Sequence, residues 1–251
     1  MARTGQPATR HVAAVQRAIA ILEALAAAKS EVGTNELARL TGINVSSISR
    51  ILATLASGGL VEHVTSTGRY RLGIAVVRLA NAVHDATDVR SLARPHLEQL
   101  AKQTGETVTL SVPGEHEAIT LDFVQSPLSV RSVAEVGRTS AAHATAVGKV
   151  FLAHGGVLRG GGPLNAFTAR TITDRAALEA EVARIGERGW AQALGEREED
   201  LNAIAAPVLD RTGKLVAILG VQGPAVRFSP PVMRSAVELV KERATLISSA
   251  V

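Results

Sequence analysis

Cysteine is absent from all 251 residues, which excludes disulfides, thiolate metal sites and a cysteine nucleophile, and fits a reducing cytoplasm as the expected location. Aromatic rings are scarce: one Trp, one Tyr and four Phe, with Tyr70 the only ring before Phe123, so the first half of the chain has little on which to stack unpaired bases. No apolar run approaches the roughly 18 residues needed to span a bilayer, so no membrane partner is expected. The stretch from Val12 to Ala28 is interrupted by Arg17 and Glu23, and its Val12, Val15, Ile19 and Leu22 have helical spacing rather than the continuity of a signal segment. Familiar catalytic signatures are also missing: there is no G-x-S-x-G elbow, no G-x-G-x-x-G run, and the seven histidines are scattered without ligand spacing. No catalytic residue, cofactor or metal is therefore expected.

What is present is apolar and unevenly charged. Apolar residues make up 46% of the chain, enough for a real core, and the length leaves room for a small domain and a larger one. Residues 1–72 carry eight Lys and Arg against four acids, whereas the remainder carries nineteen of each, so the whole net charge of +4 lies in the N-terminal segment. Such asymmetry is expected when one part of a chain meets a polyanion and the other does not.

Within that segment, Met1 to His11 reads as a disordered basic tail and Val12 to Ala28 as an amphipathic helix. TNELARLTGINVSSISRILATL, Thr34 to Leu55, reads as two short helices with Thr34 as an N-cap and Gly42 as the break between them. Ile48, Ile51, Leu52 and Leu55 form one buried stripe, and Asn44, Ser46, Ser47, Arg50 and Thr54 occupy the opposite face. Short hydroxyls, an amide and one arginine suit a helix lying in a DNA major groove; a helical hairpin with a solvated polar face is the plainer alternative. After Ser57-Gly58-Gly59, two β-prone runs, Leu60 to Val64 and Arg69 to Leu72, flank the turn residues Thr65 to Gly68. Three helices followed by a basic hairpin make a winged helix, and the shortage of rings favours duplex DNA over single strands or RNA.

Ile74 to Thr87 reads as a linker helix with a wide apolar face that needs a second chain or its own domain for cover. Beyond it, helical and β-prone stretches alternate: a helix over Val89 to Gln103, strands over Glu106–Val112, Ala118–Val124 and Leu128–Glu135, helices over Thr145–Ala153 and from Asp174 to Arg188, strands over Ile204–Leu209 and Lys214–Val221, and a closing helix from Pro230. An α+β domain with an antiparallel sheet follows. HATAVGK, His143 to Lys149, is not a phosphate loop, because His143 stands where the first glycine belongs and Val150 follows the lysine. It offers small residues at a helix start, suited either to an anion or to close packing. Two other readings stay open: a small-molecule-processing enzyme with an accessory helical domain, whose candidate groups are His143 and Lys149, and a protein-interaction module that meets no DNA. The acidic run Glu196 to Asp200 reads at its start as a solvated loop.

QRAIAILEAL (Gln16–Leu25), ELARLTGINVSSISRILATLASGGLVE (Glu36–Glu62), GRYRLG (Gly68–Gly73), HATAVGKVFLA (His143–Ala153) and AIAAPVLDRTGKLVAILGVQGP (Ala203–Pro224), in this order over nearly the whole chain, resemble the IclR family of bacterial transcription regulators. The resemblance implies an α+β protein: a winged helix-turn-helix over 12–73, a linker and dimerisation helix over 74–87 and a GAF-like effector-binding domain over 88–251. It implies a homodimer or homotetramer on a pseudo-palindromic double-stranded operator. The expected DNA-contacting residues are Thr34, Asn44, Val45, Ser46, Ser47, Ser49, Arg50, Thr54 and Arg69. The resemblance also implies a small carboxylic acid effector held around Ala142, His143, Val147, Gly148, Ala193, Leu201, Ala203, Gly220 and Gln222. Because Ala193, Ala203 and Gly220 lack polar side-chain atoms, the pocket is expected to be roomy and apolar, suited to an aromatic or larger acid.

Overall fold

The computed structural model describes residues 12–28, 30–81 and 84–251, without the side chains of 80, 81 and 84–88; the expected tail over 1–11 lies outside them. The chain divides into two compact units, residues 1–83 and 84–251.

The first unit places α1 (Ala13–Ala27), α2 (Thr34–Thr41) and α3 (Val45–Ser57) before a hairpin of β1 (Val61–Val64) and β2 (Arg69–Leu72), and ends with α4 (Ala75–Asn81). Ile21, Leu25, Leu37, Ile48, Leu52, Leu55 and Val61 form its core. Leu37, Ile48 and Leu52 are fully buried, each worth about 1.5–3 kcal/mol relative to exposure. Gly42, at φ 70°, turns the chain between α2 and α3 in the left-handed conformation that residues with a Cβ adopt only with strain. Gly33, not Thr34, is the N-cap of α2; Thr34 is its first helical residue and makes no capping bond. Val32 bridges Tyr70, so the hairpin is pinned to the turn before α2.

The expected linker over 74–87 falls on two described helical stretches: α4 ends at Asn81, residues 82–83 lie outside the described part, and α5 (His84–Thr104) belongs to the second unit, where Val89, Ala93, Leu97 and Leu100 bury its inner face. On α4 and the residue before it, Ile74, Val77 and Leu79 remain 74%, 52% and 60% exposed.

The second unit is a six-stranded antiparallel sheet in the order β5-β4-β3-β8-β7-β6, formed by β3 (Thr107–Pro113), β4 (Ala118–Val124), β5 (Thr139–Ser140), β6 (Ala191–Leu194), β7 (Leu201–Leu209) and β8 (Leu215–Pro224). Strand periodicity sorts its two faces. Val108, Leu110, Ile204, Ala206, Leu219 and Val221 pack with α5 and α8 (Pro230–Ser248). On the other face Ala205 and Ile218 pack with α6 (Ala146–Ala153) and α7 (Arg175–Arg188), and the same face presents Thr109, Ala203, Gly220 and Gln222. Asp174 accepts from the Ala177 amide to cap α7, and Gly189 at φ 76° ends it.

Leu128–Glu135 does not form the expected strand. Its β-prone residues alternate, but the segment pairs with no strand among the described residues and runs as an irregular strap, bent over 127–130, some of whose carbonyls are met by side chains. Thr107 Oγ1 and Gln125 Nε2 donate to the Ser132 carbonyl, and Arg227 donates to that of Val130 while gripping buried Glu106 through two hydrogen bonds.

Candidate DNA-reading surface and ligand cavity

On the first unit, the open face of α3 presents Val45, Ser46, Ser49, Arg50 and Thr54 as exposed residues, with Ser47 partly covered. Several of the expected DNA groups also serve the helix itself. Asn44 Oδ1 caps α3 by accepting from the Ser47 amide at 2.8 Å and from Ser46 Oγ at 2.9 Å. Ser49 Oγ and Thr54 Oγ1 donate to the carbonyls one turn back, Val45 and Arg50, which leaves their lone pairs for an incoming donor. The Arg50 guanidinium has no hydrogen bond or ion pair to another described residue in the first unit, and the residue is exposed; the same is true of the guanidinium groups of Arg17 on α1 and Arg39 on α2.

The wing cations are paired within the unit. Arg69 is held within the unit: Nε donates to the Glu31 carbonyl at 2.8 Å and Nη2 pairs with Glu36 at 2.6 Å. Arg71 is matched to Glu62 by two 3.0 Å hydrogen bonds, which hold the Glu62 carboxyl below its usual range. Both wing cations thus face carboxylates, because antiparallel pairing sets Glu62 opposite Arg71 and the Val32 bridge brings Glu31 and Glu36 to Arg69. Phosphate neutralisation should therefore fall to Arg39 and α3 rather than to the wing. Replacing Arg39 with Gln is expected to lower the slope of log affinity against log salt by about one per bound unit, and Arg71→Gln to leave it unchanged, as read by fluorescence anisotropy across a salt series. Equal slope changes in the two variants would refute the assignment.

In the second unit, a cavity of about 320 Å³ opens between the sheet face of Thr109, Ser111, Thr120, Ala203 and Gln222, the start of α6 and the strap. Of the nine expected effector residues, Val147, Ala193, Leu201, Ala203 and Gln222 line it. The other four do not. Ala142 and His143 turn into a separate cavity of about 250 Å³, where His143 Nε2 meets the Asn165 carbonyl at 2.8 Å and the ring stacks on Phe167. Gly148 packs on the Ala141–Ala142 backbone, and its amide donates to Thr145 Oγ1, the cap of α6. Gly220 lies under Thr109 and Val147, with no room for a side chain.

The cavity is also more polar than expected. Thr109, Ser111, Thr120, Ser132, Ser140 and Thr145 bring hydroxyls to it, and Gln222 Nε2 donates to Ser132 Oγ at 2.8 Å. Ser111 Oγ is buried and has no hydrogen-bond partner. Arg131, Arg138 and Arg197 stand with Glu135, Glu198 and Asp200 around the cavity; Arg197 lies over the Phe167 ring at 4.0 Å and Arg138 pairs with Glu198 at 3.5 Å. The sequence carried a signal for the hydroxyls: Thr107, Thr109 and Ser111 alternate with Val108, Leu110 and Val112, so one face of β3 is polar.

The two groups that an enzyme would have used lie elsewhere. His143 sits in the second cavity, and Lys149 is 1% exposed, its ammonium donating to Glu196 Oε1 at 2.6 Å and the Gln192 carbonyl at 3.0 Å. Glu196 is correspondingly buried rather than solvated, because α6 directs a lysine at the loop that carries it. Among the described residues no group of three or more His, Cys, Asp or Glu could hold a metal ion, and no helix is long and apolar enough to cross a membrane.

Comparison with known proteins matches residues 14–65 to the IclR helix-turn-helix domain and residues 81–249 to the bacterial transcriptional regulator IclR C-terminal domain. The glycerol operon regulatory protein of Streptomyces griseus is 34% identical over 226 residues, covering 88% of each chain. The crystal structure of Thermotoga maritima IclR superposes with a TM-score of 0.73 at 26% identity, over 96% of this chain and 99% of that one. An IclR homologue from Microbacterium hydrocarbonoxydans, complexed with 4-hydroxybenzoate, gives a TM-score of 0.81 at 24% identity over 94% and 98% of the two chains, a likeness of fold alone.

Proposed function

The chain belongs to the IclR family of bacterial transcription regulators, and from that premise we propose that its affinity for a double-stranded operator is controlled by a small organic acid bound in the cavity of the second unit. Domain roles follow the two units: residues 12–73 read DNA, 74–87 join copies of the chain, and 88–251 take the effector. The exposed Ile74, Val77 and Leu79 suit self-association, and a two-fold dimer would read a pseudo-palindromic site in the cytoplasm. The acid acts by favouring one placement of the paired DNA-reading units over another, which requires differential affinity for the two states.

One observation carries the acid reading: Ser111 Oγ, buried without a partner in the cavity wall. An orphaned buried hydroxyl costs about 1–3 kcal/mol, and a ligand oxygen placed beside it recovers that loss. With Thr109 and Thr120 on the same floor and Arg131, Arg138 and Arg197 nearby, a carboxylate or phenol oxygen is the complementary chemistry. A volume of about 320 Å³ is at the compact end of ligand sites, so a single-ring acid is the preferred size.

The test is a gel shift on the DNA upstream of this chain's own and neighbouring genes, repeated with carboxylic acids from pyruvate to 4-hydroxybenzoate. Retardation that one acid changes is the expected result, and Ser111→Ala should raise the acid concentration needed by about tenfold at unchanged operator affinity. Retardation indifferent to every acid, or an Ala variant with the parental response, would contradict the proposal.

A further inference from the structure

We infer that the buried Lys149–Glu196 pair is a positioning element of the ligand cavity: it fixes the Gly195–Asp200 segment against α6 and so sets where Arg197, Glu198 and Asp200 stand on the cavity wall. The selectivity of the site for one acid over another thereby depends on two residues outside its lining. This rests on the reading of the cavity as an acid site.

Lys149 is among the largest fully buried side chains of the described residues, and Glu196 is 8% exposed. Two charges taken out of water lose hydration that their attraction only partly returns, so such a pair is a poor device for stability and a good one for fixing a geometry. The ammonium joins three parts of the cavity wall. It stands on α6, whose Thr145, Ala146 and Val147 line the cavity; it donates to the Gln192 carbonyl on β6, next to Ala193; and it pairs with Glu196 beside Arg197. The segment is also held from its other side, where Thr168 Oγ1 donates to the Gly195 carbonyl and Thr171 Oγ1 to that of Glu196, both at 2.7 Å. Gly195 takes φ 63°, and a Cβ there would lie 2.8 Å from the Glu199 carbonyl oxygen, so the turn has a single tight path. Glu196 Oε2 remains buried without a partner, which makes the lysine contact the principal tie on that carboxylate.

Two variants of the full chain loosen the segment from opposite sides: Lys149→Met with Glu196→Leu, which removes both charges while keeping apolar volume, and Thr168→Val with Thr171→Val, which leaves the pair intact. In protein without ligand, amide hydrogen exchange over 195–200 is expected to rise about tenfold or more in both, while β3 and β8 keep parental protection. In titrations with 4-hydroxybenzoate and pyruvate, the ratio of the two affinities should shift about tenfold, with operator affinity in the absence of acid within about twofold of the parent. Parental exchange over 195–200 in both variants would overturn the inference, as would an unchanged affinity ratio. A parent that binds neither acid would count against the acid reading of the cavity, whereas the exchange measurement would still decide the role of the pair.

Discussion

Gly148→Ala is expected to lower the melting temperature of the second unit and to weaken acid binding at least tenfold, although alanine is the better helix former. A Cβ at position 148 would lie 2.5 Å from Ala142 Cα, 2.6 Å from the Ala141 carbonyl oxygen and 2.7 Å from that of Ala142. All three are backbone atoms, so no rotamer change relieves the contact. Helix propensity favours alanine by about 1 kcal/mol, whereas overpacking a tight site costs about 1–3 kcal/mol and more when backbone must move. Because the contacts are backbone, the upper end of that cost applies, the clash wins by about 2 kcal/mol, and the melting temperature should fall by about 4–8 °C for a unit of this size. The backbone that must yield is that of Ala141–Ala142, and Ala141, Thr145, Ala146 and Val147 are cavity wall, so the loss reaches the ligand even though Gly148 does not line the cavity. Differential scanning calorimetry with and without acid reads both effects. A rise of a few degrees with an unchanged titration would mean that the wall gives way freely.

Gly148 also marks where the sequence was legible and where it was not. HATAVGK announced a helix start made of small residues, and both uses of such a start, an anion site and close packing, were open. The structure assigns Gly148 to packing, because the fold lays the 141–142 backbone across the first turn of α6, a long-range approach that local spacing does not encode. The helix α3 was legible because its stripe of Ile48, Leu52 and Leu55 follows a local period, and β3 because Val108 and Leu110 alternate with Thr109 and Ser111. The strap over 128–135 has strand-like residues as well, yet a strand needs a partner, and this one is met by Thr107, Gln125 and Arg227 side chains. Charge was legible as a total and misleading in detail: the N-terminal excess is real, while Arg69 and Arg71 face Glu36 and Glu62. Lys149 and Glu196, 47 positions apart, could not be paired from spacing at all.

That redistribution of charge makes Arg50 the residue on which operator reading is expected to depend most. It projects from the exposed face of α3 between Ser46 and Thr54, and it has no carboxylate partner among the described residues of its unit, unlike the two wing arginines. A guanidinium set against a guanine edge in the major groove contributes about 1–3 kcal/mol of discrimination, so Arg50→Ala should weaken operator binding by about 5- to 150-fold per half-site. Stability should hardly change, because the side chain is exposed and its removal uncovers none of Ile48, Leu52 or Leu55. Arg50→Lys separates the two ways an arginine can act. Lysine keeps the charge but not the planar fork, so a base-reading Arg50 predicts that the lysine variant retains the parental salt slope while losing preference for operator over unrelated DNA. A phosphate-binding Arg50 predicts the reverse: lysine nearly restores the parent, and alanine lowers the salt slope by about one. Fluorescence anisotropy on operator and scrambled duplexes across a salt series distinguishes them, and an alanine variant with parental affinity on both would remove α3 from the DNA interface.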